Sequence, residues 1–142
     1  MSMSRIVVAV LALLVGASRV DAQGYVVVVN AANPVTSLKK DRANGIFLKR
    51  VTRWDDGAPV LPVNLEPSSS TREAFTRAVH GKGVAAIESS WQQQIFAGKD
   101  APPPQRSSEA EVLAYVRANP GAVGYVRAGA PLGDDVKAIP VQ

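Results

Sequence analysis

Tyr25-Val26-Val27-Val28-Val29, followed by Asn30-Ala31-Ala32-Asn33-Pro34-Val35-Thr36-Ser37, is the stretch from which the fold can be read. Five successive apolar residues, four of them β-branched, sit between Gly24 and a turn-forming segment. A run this short and this apolar predicts a strand buried on both faces. Such strands are typical of parallel sheets covered by helices. A helix is expected to begin near Ser37, because Leu38, Ala43, Ile46 and Phe47 recur at roughly helical spacing.

Downstream the pattern alternates. Asp56-Gly57 marks a turn, and Val60 to Leu65 reads as a second strand, with Pro62 suggesting an edge or irregular segment. Ser70 and Glu73 have capping-box spacing and open a helix through Val79. Val84 to Phe96 forms another helix, with Ile87, Trp91 and Ile95 as one apolar stripe and Gly98 as the stop. Asp100 to Ser107, with three prolines, reads as a stiff connection. Ser108 and Glu111 repeat the capping-box spacing and start a helix carrying Val112, Leu113, Tyr115 and Val116. It ends near Asn119-Pro120-Gly121. Val123 to Val126 and Val136 to Ile139 complete the strands. This alternation predicts an α/β domain: a layered mixed sheet with flanking helices.

Upstream, Arg5 precedes ten apolar residues, Ile6 to Val15, and Val20-Asp21-Ala22 follows. A basic start, a short apolar run and small residues near the end describe a secretory signal peptide. Cleavage is expected after Ala22. The apolar run is about half of the ~20 residues that a spanning helix needs. Residues 23–142 then form one domain, and net charge falls from +4 to +3 as Arg5, Arg19 and Asp21 leave. The product is expected to be soluble and extracytoplasmic. The 142 residues include no cysteine, which removes the usual lipid-attachment residue, thiol nucleophiles and thiolate metal sites. His80 is the sole histidine and is expected at a helix C-terminus. The basic residues are scattered, so no nucleic-acid partner is expected. No nucleophile elbow, phosphate loop or zinc-protease motif is present. Asp55-Asp56 and Asp134-Asp135 read as turn residues, and no enzyme activity is expected.

Chemistry concentrates at two hydroxyl-rich strand-to-helix turns, Asn33 to Ser37 and Ser68 to Thr71. Helix N-termini offer unpaired N–H groups and a positive dipole end, which suit a small anion. If both turns lie at one sheet edge, they converge on one ligand. Plain helix capping accounts for the same residues.

Ile46 to Trp54, Val63 to Phe75 and Asn119 to Val126 together resemble segments of phosphate-binding proteins of ABC transporters. Ile46 to Trp54 is similar to that family's "IFLGKITxW". Val63 to Phe75 is similar to "VxRxDGSGTxxxF". Asn119 to Val126 is similar to "PGAIGYV". The likeness runs in order from Tyr25 to about Ala130. It implies a single lobe of a type II periplasmic-binding-protein-like fold, periplasmic, with phosphate or a similar oxyanion as ligand and a membrane transporter or sensor as partner. No metal or organic cofactor is implied. Ser69, Ser70 and Thr71 take the anion-binding positions of the hydroxyl loop. Thr36-Ser37-Leu38 resembles the family's "STL" loop, so Thr36, Ser37 and the N–H of Leu38 join them. Leu65 stands where the family has arginine, and Pro67 where it has aspartate. Arg72 is the nearest guanidinium that could substitute. These two departures also fit a domain that has kept the fold and serves as a ligand-free adaptor.

Overall fold

A computed structural model describes residues 24–142. The proposed signal peptide, residues 1–22, lies outside the described residues. Strand β1 (Tyr25–Asn30) is followed by α1 (Lys40–Phe47), β2 (Leu61–Pro62), β3 (Asn64–Leu65), α2 (Ser70–His80) and α3 (Val84–Phe96). The short β4 (Gln105–Arg106), α4 (Glu109–Ala118), β5 (Ala122–Arg127) and β6 (Val136–Ile139) complete the order.

The main sheet has the order β2-β5-β1-β6, and β3 pairs with β4 in a separate two-stranded ladder. As its composition predicts, β1 is buried, with Val27, Val28 and Val29 at most 1% exposed. Both of its neighbours, however, are antiparallel: Val27 faces Tyr125 on β5 and Ile139 on β6. The parallel pairs are β2 with β5 and β3 with β4. The result is the expected mixed α/β sheet, with a different direction for the central strand. Pro62 does lie on an edge strand, where a missing N–H is tolerated.

Alternation along the central strands sends side chains to two layers. One face carries Tyr25 and Tyr125, which meet Phe47 of α1 and Phe75 of α2. Phe75 lies edge-on to Tyr25, with centroids 5.4 Å apart, and stacks on Tyr125 at 3.9 Å. The other face carries Gly124. A Cβ there would come within 2.8 Å of Val112 and 2.9 Å of Val63, so glycine lets α4 sit close to the sheet. Asn30, 7% exposed, fastens that helix: its Nδ2 donates to the carbonyls of Val116 and Arg117 at the end of α4. The Val116 carbonyl also accepts from Asn119 N, so Asn30 adds to the capping of the last helical turn.

Local boundaries follow the capping chemistry, with three corrections. The cap of α2 is Ser69, whose Oγ accepts from Arg72 N at 3.1 Å; Ser70 is the first helical residue. Glu73 turns to Arg77 and the N–H of Val84 instead of reaching back. Helix α1 starts at Lys40, not Ser37. On α3, Ile87 and Trp91 are buried, but Ile95 is 54% exposed. Ser108 caps α4 as expected, through Glu111 N at 3.2 Å.

Candidate functional site

Strand β3 delivers the chain to the turn Glu66-Pro67-Ser68, where Ser69 N donates to Glu66 O at 3.0 Å. Ser69 then satisfies two of the helix's first amides, accepting from Arg72 N on its hydroxyl and from Glu73 N on its carbonyl. The N–H groups of Ser70 and Thr71 have no acceptor among the described residues. They stand at the start of an eleven-residue helix, where the dipole favours negative charge.

The hydroxyls around this terminus are engaged with carboxylates. Ser68 Oγ donates to Glu66 Oε1, and Thr71 Oγ1 to Glu109 Oε1, each at 3.3 Å. Glu109 also accepts from Arg127 N at 2.8 Å, and its other oxygen lies 3.4 Å from Arg127 Nε. Through this carboxylate, the starts of α2 and α4 and the end of β5 are tied together.

Arg72 does not reach the turn. It is 1% exposed and points into the core, where Nη1 donates to Leu65 O at 3.2 Å and Nη2 to Glu88 Oε1 at 2.6 Å. Its Nε is buried without a partner among the described residues. The guanidinium therefore fastens β3 to α2 and α3 and does not replace the arginine position held by Leu65. Beside it, Tyr125 Oη donates to Asn64 Oδ1 and accepts from Leu65 N. Burial pushes the Tyr125 phenol well above its usual range. At the far end of α2, His80 Nδ1 lies 2.6 Å from Asn44 Oδ1 and donates to it. Burial first, then the charges of Arg72 and Lys82, lower the His80 pKa to about 4.

The other hydroxyl turn is elsewhere. Strand β1 ends at Asn30, beside the beginnings of β5 and β2, whereas β3 runs on toward the end where Tyr25 faces Arg127. The two turns thus lie at opposite ends of the sheet, roughly the length of a six-residue strand apart, ~20 Å. They do not converge on one ligand. Thr36 and Ser37 are exposed, and Leu38 is 2% exposed. Leu38 N donates to Pro140 O at 2.9 Å, while its carbonyl accepts from Gln142 N. Its N–H is therefore spent on the C-terminal segment. Lys40 N, at the start of α1, is likewise taken by Gln142 O at 2.7 Å. Thr36, Ser37 and Leu38 make no anion site with Ser69, Ser70 and Thr71. Strand direction decides this, and it depends on partners distant in sequence.

No group of three or more potential metal ligands occurs among the described residues. No described helix is long and apolar enough to cross a membrane.

Residues 17–139 match the PBP superfamily domain, and the chain belongs to that family. Among solved structures, it is similar to an ABC-type phosphate transport receptor from Vibrio cholerae, with 27% identity and a TM-score of 0.66 over 83% of this chain and 46% of that one. A putative phosphate ABC transporter substrate-binding protein with bound phosphate, from Clostridium perfringens, gives 24% identity and a TM-score of 0.66 over 83% and 44%. A possible phosphate binding protein from Planctomyces limnophilus gives 21% identity and a TM-score of 0.63 over 84% and 41%. The chain thus spans less than half the length of these proteins. No curated protein matches it.

Proposed function

We propose that this protein is an exported solute-binding domain that takes phosphate or a similar oxyanion at the N-terminus of α2, for an ABC-type transporter. It would act in the periplasm after loss of residues 1–22, as a binding protein and not as an enzyme. The observation that carries this reading is the pair of free N–H groups at Ser70 and Thr71, in the loop that resembles the family's phosphate-binding segment. Two amide donors and a helix dipole, without a guanidinium, support weak binding, on the order of 1 mM or about 4 kcal/mol.

Phosphate titration by calorimetry, on protein purified after expression of the full chain, tests the reading. Ser70→Pro is the informative variant. Proline is well tolerated at the first helical position, and it deletes one N–H donor. Saturable binding that Ser70→Pro weakens is the expected result. No saturation at millimolar phosphate would sink the proposal.

A second reading is favoured by one observation. Glu66 and Glu109 occupy the hydroxyls of Ser68 and Thr71 and bring negative charge to the same terminus. That charge opposes an anion there and supports a domain that has kept the fold and serves as a ligand-free adaptor for a membrane transporter or sensor. Co-purification with a membrane partner, indifferent to added phosphate, would favour the adaptor.

A further inference from the structure

A cleft of about 520 Å³ lies where the chain leaves α1, passes from α2 to α3, and leaves α3. Lys49, Arg50, Lys82 and Lys99 line it, with Asp100 as its one carboxylate. Lys49 Nζ is 3.7 Å from Asp100 Oδ1. Arg50, Lys82 and Lys99 have no carboxylate partner among the described residues. We propose that this cleft is a second anion site, separate from the α2 N-terminus, for a compact, multiply charged anion of the condensed-phosphate type.

The simpler account is that these lysines complement helix C-termini, since Lys49, Lys82 and Lys99 follow the ends of α1, α2 and α3. Each terminus carries about half a negative charge, so three ends and Asp100 together offset roughly two and a half of the four cations. Arg50 is not needed for that role. The backbone also argues against it. The left-handed residues just past α2 and α3 are glycines, Gly81 at φ 67° and Gly98 at φ 66°. Past α1 the same conformation is held by Lys49, at φ 58°. Glycine adopts it without steric cost, and lysine does not. Lysine at this position puts a cation at the cleft, beside Asp100, at a cost in backbone strain that glycine would avoid.

The cations also suggest the ligand. They rise from three separate segments around a volume larger than one phosphate fills. Lysine ammonium groups are point charges that impose no planar geometry. Linked phosphates can meet several of them at once. Ser90 and Gln94 on α3 add neutral donors at the wall.

The test is calorimetric titration with sodium tripolyphosphate, on protein from the full chain, at about 20 mM and about 0.3 M salt, which bracket strong and weak screening. Saturable binding, weakened by the higher salt and at least tenfold by Arg50→Gln with Lys82→Gln, is expected. Lys49→Gly should also weaken it while leaving the fold intact or more stable. Lys39→Gln, a control at the other end of α1, should leave it unchanged. The proposal is overturned by absence of saturation at low salt, by a Lys39→Gln effect equal to that of the cleft variants, or by binding that responds only to Ser70→Pro. Because Ser70→Pro acts on the other terminus, failure of the phosphate reading and failure of the cleft are distinguishable.

Discussion

Single side chains decide what the hydroxyl loop can do. Three serines in a row make the start of α2 obvious and its cap ambiguous. Ser70 has Glu73 three residues on, which spells a capping box. Ser69 nonetheless takes the role, because Glu73 is drawn to Arg77 and to the start of α3. Ser69→Ala should therefore cost about 1 kcal/mol. Ser70→Ala should change stability by less than about 0.5 kcal/mol, as exposed sites do. Urea melts of the two variants distinguish them. His80 gives a second residue-scale expectation. Its folded pKa, about 4, lies below the ordinary value of 6.5. Above 6.5 both the folded and unfolded forms are neutral, and the buried contact contributes fully. As pH falls from 6.5 toward 4, the unfolded chain takes up a proton that the folded one does not, so stability declines. Melts over this range should show a shallower decline for His80→Gln than for the parent, and parallel curves would contradict the assignment.

At the scale of elements, spacing was informative where contacts are local. The ends of α2, α3 and α4 follow from serine, glycine and proline positions. Ile95 shows the limit. A step of four residues overshoots the 3.6-residue turn by about 40°, so two steps carry Ile95 about 80° from Ile87. Only the first two members of the stripe face the interior, at 6% and 3% exposure for Ile87 and Trp91. Trp91→Ala should destabilise by roughly 3–5 kcal/mol, and Ile95→Ala by less than about 0.5. Thermal unfolding of the pair checks the phase of the helix directly. Strand β4 was not legible, since Gln105-Arg106 carries no apolar alternation and follows three prolines. It forms because β3 offers it a parallel partner.

Across the whole molecule, the mixed α/β class could be read from the sequence, but the direction of the central strand could not. Strand identity is a local property of five apolar residues. Orientation depends on β5 and β6, about a hundred residues later. That gap separates Ser37 from Ser69 in space, although both turns look alike in sequence. It also leaves Arg72 inside the protein, fixed to Leu65 and Glu88, where position alone would have offered it to a ligand. Phosphate titration tests whether a chain under half the length of its structural relatives holds a ligand on one terminus, and saturation near millimolar phosphate is expected.

The pairing of β1 with β5 and β6 has a further consequence, for the order of events. The first strand of the sheet is also its centre, and both of its partners lie within residues 122–139. A chain emerging from its N-terminus cannot close the sheet until nearly all of it has been delivered. Such non-local pairing is slow, in the range of about milliseconds to seconds. Stopped-flow refolding, followed by tryptophan fluorescence, should therefore show no phase faster than about a millisecond that recovers the full native signal. If the chain is exported as proposed, that delay is useful: it stays loose until its last segment arrives.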